Sequence, residues 1–213
     1  MILPLSFEIL IATHNQGKIR EVHDKLHSLP VKLRYLREFP HVSSVTESGK
    51  TYSENALLKA LGYAKQTGLC ALADDSGLEV DALAGGPGVL SARFGGDGIS
   101  DHDRIELLLT KLSGQPDSRR GARFVCCMAL AGWKRGTGAG EPVVLKLVEA
   151  KCEGSIALEA RGATGFGFDP LFVPEGYLET FAELPAEVKA NISHRAQALA
   201  AVRAFITCWI TRT

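Results

Sequence analysis

Residues 71–81, Ala-Leu-Ala-Asp-Asp-Ser-Gly-Leu-Glu-Val-Asp, place two adjacent carboxylates, Asp74 and Asp75, directly after a short apolar run. The run at 69–73 reads as a strand that stops at the Asp-Asp pair and a Ser-Gly turn. Carboxylates at a strand end, followed by glycine, set oxygen donors at an exposed edge suited to a hard cation. An isolated Asp-Asp-Ser-Gly is more often an ordinary polar turn. The chemistry therefore depends on what else the chain supplies.

Three other stretches bear on it. Thr13-His-Asn-Gln-Gly-Lys18 lies between an apolar run at 7–12 and a helical stripe of Ile19, Val22, Leu26 and Leu29. A helix start offers backbone N–H groups to an anion, and Thr13, Asn15 and Lys18 add donors there. The competing reading is a capped helix with Lys18 in solvent. Ser193-His-Arg195 opens a second helix, with Leu199, Val202, Phe205 and Ile206 inward. Residues 161–174, Arg-Gly-Ala-Thr-Gly-Phe-Gly-Phe-Asp-Pro-Leu-Phe-Val-Pro, form a glycine-aromatic loop. Its Gly165 and Gly167 allow close backbone approach, and Phe166 or Phe168 offers a ring for a base to stack on. An aromatic turn packed on a sheet is the equal alternative. An acidic pair with a third carboxylate suits Mg²⁺, two helix starts suit phosphate or base oxygens, and the aromatic loop suits a purine. Together they suggest a metal-dependent enzyme acting on a nucleotide.

The elements that must hold these residues are legible from periodicity. A second strand is expected at 31–35, and residues 40–50 read as a loop with Glu47 its only carboxylate. Thr51-Tyr-Ser-Glu54 is a capping box that opens a helix with Tyr52, Ala56, Ala60 and Ala64 on one face, ending at Gly68. Asn55 and Lys59 on that helix are open to two readings, solvated or aimed at a site. Ser100 caps a helix with Ile105, Leu108, Leu109 and Leu112 inward, closed by Gly114; a polar connector at 115–121 carries Arg119 and Arg120. Runs at 124–131 and 143–152 are strand-like and flank a hairpin tip at 132–142. A short helix or turn is expected at 180–189. Ser48-Gly-Lys-Thr51 resembles the end of a phosphate-binding P-loop, but Ser44 stands where the motif needs glycine. His23 and His27 have no third ligand at suitable spacing and read as a solvated face.

The totals exclude several classes. The 213 residues include 24 Lys plus Arg and 24 Asp plus Glu, so no basic excess favours polymeric nucleic acid. Hydrophobic residues at 46% and charged residues at 23% are ordinary for a globular protein able to bury a sizeable core. Cys70, Cys126, Cys127, Cys152 and Cys208 are odd in number and lack a C-x-x-C pair, which reads as reduced, buried thiols. No apolar run approaches the ~20 residues needed to span a bilayer. One cytoplasmic domain, residues 1–213, without a membrane partner is the expectation.

Thr13-His-Asn-Gln-Gly-Lys18, Glu54-Asn-Ala56, Ala73-Asp-Asp-Ser-Gly77, Gly85-Gly-Pro-Gly88, Ser91-Ala-Arg93, Gly165-Phe-Gly-Phe-Asp-Pro170 and Ile192-Ser-His-Arg-Ala-Gln-Ala-Leu199 occur in order. In this set the sequence resembles the inosine/xanthosine triphosphate pyrophosphatases. The resemblance runs from about residue 8 into the last helix. It implies a two-lobed α/β fold with a long central mixed β-sheet flanked by helices, usually a homodimer. It also implies hydrolysis of the triphosphates of inosine, deoxyinosine and xanthosine to monophosphate and pyrophosphate, with Mg²⁺ as cofactor. By matching motifs, Thr13, Asn15 and Lys18 would hold the triphosphate. Glu47 and Asp75 would bind Mg²⁺ with Asp74 nearby, and Asp75 would be the proton acceptor. Ser76 would contact substrate. Phe166, Gly167, Phe168, Asp169, Lys189, His194 and Arg195 would line the base and sugar pocket. Phe168 stands where the family often has tyrosine, and the first strand follows a slightly longer apolar N-terminus. A same-fold pyrophosphatase with another base preference is the nearest alternative. A nucleotide sensor without turnover is the competing class.

Overall fold

The computed structural model describes residues 7–116, 119–133 and 140–211. Most of the hairpin tip expected at 132–142, part of the polar connector at 115–121 and the apolar N-terminus lie outside the described residues. Among these residues six strands, β1 (Phe7–Ile11), β2 (Val31–Tyr35), β3 (Cys70–Val80), β4 (Gly121–Gly132), β5 (Val143–Ile156) and β6 (Phe172–Pro174), form one sheet in the order β2-β1-β3-β4-β5-β6. The sheet is mixed. Ile9 of β1 lies opposite Leu33 and Cys70 in parallel pairs, while β5 and β6 pair antiparallel. Among the described residues five helices accompany it: α1 (Gln16–Leu26), α2 (Tyr52–Thr67), α3 (Asp101–Lys111), α4 (Ala186–Ile192) and α5 (His194–Thr211). The α/β class and the central mixed sheet agree with the sequence reading.

The strand expected to stop at Asp74 does not stop. β3 continues through Asp74-Asp75-Ser76-Gly77 to Val80, and nine of its eleven residues are buried. An interior strand covered on both faces needs no alternation of polar and apolar residues, so a Ser-Gly pair within it forces no turn. Downstream, the Leu78 N–H donates to Ser91 Oγ at 2.8 Å, and that hydroxyl in turn donates to the Gly88 carbonyl at 2.6 Å.

The chain divides into two compact units, one made of Met1–Asp75, Cys126–Glu149 and Gln197–Thr213, the other of Ser76–Val125 and Ala150–Ala196. In the first, Ile9, Leu10 and Ile11 of β1, Val22 and Leu26 of α1, and Leu199, Val202 and Ile206 of α5 are buried. Helix α2 buries Ala56, Ala60 and Ala64 without any exposed surface. Alanines four apart give a shallow face that lets a helix lie close to its neighbours. It starts at its capping box and ends at Gly68 in the left-handed conformation.

The second unit has its own apolar cluster. Leu78, Val80, Ile105, Leu108, Leu112, Phe124, Phe172, Phe181 and Leu184 meet there. Arg120 is buried beside them because its guanidinium is spent on backbone, donating to the carbonyls of Ile156, Leu112 and Ala157. All five cysteines are free; Cys208 is exposed, and the other four are buried. Burial pushes the Cys70, Cys127 and Cys152 thiols up to about 11, which leaves them inert at neutral pH.

Candidate active site

The candidate residues fall into two sets, one per unit. In the first, Asn15 caps α1, its side chain accepting from the Lys18 N–H at 3.0 Å, and Thr13 Oγ1 accepts from the Asn15 N–H at 3.2 Å. The cap is real, but Lys18 does not point to solvent. Its ammonium lies 2.9 Å from Asp74, with 16% of the side chain exposed. A cation is thereby fixed at a helix N-terminus, where the backbone already favours anions.

Asp75 follows Asp74 on the strand, and successive strand side chains point to opposite faces. It is held by a different helix. Asn55 Nδ2 donates to Asp75 Oδ2 at 3.0 Å, and Lys59 Nζ lies 3.9 Å from Asp75 Oδ1. Lys59 also binds Glu47 at 2.8 Å. The loop carrying Glu47 is laced to α2 along its length. The Ser43 N–H donates to Gln66, the Gly49 N–H donates to Asn55 Oδ1, and Val45 sits where a side chain at Gly62 would be, 2.8 Å from an ideal Cβ. Asn55, 1% exposed, therefore ties the Glu47 loop to Asp75 through the two ends of one amide. Burial pushes the Asp75 carboxyl above the ordinary aspartate range, while Lys59, Asn55 and Lys18 oppose that rise and Glu47 adds to it.

The expected metal set of Glu47, Asp74 and Asp75 is not drawn together as three. Among the described residues no group of three or more His, Cys, Asp and Glu side chains stands ready to hold a metal. Each carboxylate is drawn instead toward a lysine, Asp74 to Lys18 and the other two to Lys59. Glu47 and Asp75 nonetheless converge on one positive charge with oxygen donors only. That set fits Mg²⁺, which binds through one or two carboxylates and keeps its remaining positions for water and phosphate.

In the second unit, Asp169 is 2% exposed and organises the aromatic loop. Its carboxylate accepts from the Phe166 N–H at 2.8 Å and from Lys189 Nζ at 2.5 Å. Gly165, at φ 82°, leaves room for it, since a Cβ there would fall 2.2 Å from Asp169 Oδ2. Lys189 Nζ and the Arg195 guanidinium lie 4.5 and 5.7 Å from the Phe166 ring centre. Arg195 Nη2 donates to Ser76 Oγ at 2.7 Å. His194 stacks on Phe124 at 4.7 Å, and the Gly167 N–H donates to Asp101.

Between the two rings expected to offer a stacking face, the structure separates them. Phe168 is 4% exposed and packs in the apolar cluster, where a tyrosine hydroxyl would need a partner. Phe166 is the ring left beside the cations. Sequence reasoning left Asn55 and Lys59 unresolved. Their signal is positional, since polar residues at 55 and 59 flank the buried alanine line of α2. His23 and His27 are exposed, stacked on each other at 5.4 Å, as a solvated face requires.

A profile of the Ham1 family matches residues 9–205. The chain is 41% identical over 202 residues to a dITP/XTP pyrophosphatase of Bacillus cereus, covering 95% of this chain and 96% of that one. It is 46% identical over 193 residues to a dITP/XTP pyrophosphatase of Vibrio vulnificus, covering 90% and 92%. Among solved structures, a HAM1 protein from Coxiella burnetii superposes with a TM-score of 0.81 at 41% identity, covering 94% of this chain and 98% of that chain.

Proposed function

Because the chain belongs to the Ham1 family, and its relatives named dITP/XTP pyrophosphatase match along nearly their whole length, we propose that it hydrolyses non-standard purine nucleoside triphosphates. The substrates are the triphosphates of inosine, deoxyinosine and xanthosine, and the products are monophosphate and pyrophosphate. The observation that carries this reading is the buried Asp75, held by Asn55 and Lys59 beside Glu47. A buried carboxylate beside a second carboxylate has little use in a pure phosphate binder, whereas hydrolysis needs one to take a proton from water.

In this reading Glu47 and Asp75 hold Mg²⁺, and Asp74 orients Lys18. Held by these residues, Mg²⁺ would supply positive charge for the pyrophosphate leaving group and a more acidic water. Thr13, Asn15 and Lys18 bind and orient the triphosphate. Asp75 accepts the proton of the attacking water; a free aspartate, with a pKa of ~3.9, is a weak base at neutral pH, and burial moves Asp75 in the useful direction. Phe166 stacks on the base, in preference to Phe168. His194 and Arg195 donate toward the base's 6-oxygen, where adenine carries an amino donor. An unmade buried hydrogen bond costs roughly 1–3 kcal/mol, enough for up to about two orders of magnitude of discrimination. Ser76 and Asp169 act by holding Arg195 and Lys189.

A single domain of residues 1–213, a homodimer and a cytoplasmic location go with this reading on the strength of the family likeness. Among the described residues no helix is long and apolar enough to cross a membrane. The test is a panel of triphosphates with Mg²⁺, with pyrophosphate and orthophosphate measured separately. Pyrophosphate release faster from inosine and xanthosine triphosphates than from ATP and GTP is expected. Orthophosphate as the product, or no preference for inosine and xanthosine triphosphates over ATP and GTP, sinks the proposal.

A further inference from the structure

In the scheme above Lys59 only holds Asp75; it neither binds substrate nor moves a proton. It sits on α2, one turn beyond Asn55, with 12% of its side chain exposed, 2.8 Å from Glu47 and 3.9 Å from Asp75. The two carboxylates come from a loop and a strand far apart in sequence, and its ammonium is the charge toward which both are drawn. Asp74, the neighbouring carboxylate, is engaged by Lys18 instead.

We propose that Lys59 is a resident counter-cation of the Glu47–Asp75 pair. It keeps the two carboxylates together and competes with a divalent ion for the same oxygens. The proposal rests on Glu47 and Asp75 being the metal ligands. Two anions so close repel each other unless a positive charge stands between them. An ammonium on a four-carbon stem is suited to the task, because it can withdraw when a doubly charged ion arrives while its backbone stays on the helix. Asn55 shares the work by a different route, as a neutral donor to Asp75 that also holds the Glu47 loop through the Gly49 N–H. Occupation by the ion and by Lys59 are then mutually weakening, a negative coupling that acts equally in both directions.

The experiment compares the unmodified protein, Lys59→Met, Lys59→Arg and Asp75→Asn. Mn²⁺ binding is measured by calorimetry in the absence of nucleotide, and thermal unfolding is followed with chelator and with saturating Mn²⁺. Lys59→Met is expected to bind Mn²⁺ more tightly by roughly tenfold, the size of an ordinary coupling between sites. It should also unfold at lower temperature than the unmodified protein in chelator, with the gap closing when Mn²⁺ is added. Lys59→Arg, which keeps the charge, should not gain affinity. Unchanged or weaker Mn²⁺ binding in Lys59→Met, or a stability gap that Mn²⁺ leaves intact, overturns the proposal. If Lys59→Met does not fold, NMR of the Lys59 side chain in the unmodified protein decides. Its ammonium resonances should move on adding Mg²⁺, and fixed resonances at saturating Mg²⁺ overturn it. Failure of the underlying metal assignment looks different. In that case Asp75→Asn binds Mn²⁺ as well as the unmodified protein does.

Discussion

Two buried aspartates, Asp75 in the first unit and Asp169 in the second, are surrounded in opposite ways. Asp75 sits on a strand, and its partners are Asn55 and a lysine it shares with Glu47. Around that point two carboxylates, Asp75 and Glu47, face one ammonium. Asp169 sits in a loop, closes it through the Phe166 N–H, and takes Lys189 at short range. There one carboxylate faces Lys189, with Arg195 across the same ring. The first arrangement has an excess of anion, as a site for a divalent cation needs. The second has an excess of cation around an aromatic face, as a site for an electron-rich base needs. A carboxylate's surroundings, more than its burial, separate a reactive group from a structural one.

The largest effect should come from removing Asp75, the carboxylate proposed as the base. Asp75→Asn is expected to lower kcat by about 10²–10⁴-fold, the usual worth of a positioned base. Circular dichroism should be unchanged. Steady-state pyrophosphate release from inosine triphosphate measures it, and near-normal turnover would remove Asp75 from the chemistry. The comparison sharpens with Asp169→Asn, where the expected damage is to stability. Lys189 would keep its charge in a largely buried place without the negative charge of Asp169, and the Phe166 N–H would lose a charged acceptor. A loss of about 2–3 kcal/mol in urea unfolding is expected. If Asp169→Asn instead unfolds normally and loses turnover, the contrast between the two aspartates is wrong.

Phe166→Ala comes next. Base stacking on an aromatic ring is worth about 1–3 kcal/mol and is tolerant of base identity. KM should therefore rise roughly 10–100-fold for all accepted purines, with the ranking among them and kcat little altered. A change of ranking without a change of KM would assign Phe166 to selectivity.

How much of this was legible in the sequence follows from which forces are local. The caps at Thr51 and Ser100 depend on residues within three positions, so spacing alone revealed them. Helical stripes survived for the same reason. The Asp-Asp-Ser-Gly stretch misled because its course is decided by the strands on either side, which no local pattern reports. Whether Lys18 faces solvent stayed open in the sequence because its partner, Asp74, lies 56 positions away. Asn55 and Lys59 stayed ambiguous on the same ground. The choice between Phe166 and Phe168 turned on packing against α3 and the phenylalanines of the apolar cluster, a tertiary fact.

The smallest expected effect is also the one that tests burial against ion pairing at Asp75. Burial holds its carboxyl above the ordinary aspartate range in the folded protein. Below the unfolded pKa of ~3.9 both states carry the proton, and whatever stability the neutral form contributes is fully present. As pH rises the unfolded chain releases its proton first, so stability falls until the folded pKa has been passed. An asparagine at 75 never ionises and escapes that fall. Asp75→Asn should therefore match the unmodified protein in Tm near pH 4 and exceed it modestly near pH 7, the inactive enzyme being the more stable one. Thermal unfolding in chelator across that range measures the difference. A Tm at pH 7 below that of the unmodified protein would mean that Lys59 and Lys18 outweigh burial. Asp75 would then resemble Asp169, a carboxylate held in place chiefly by its cation.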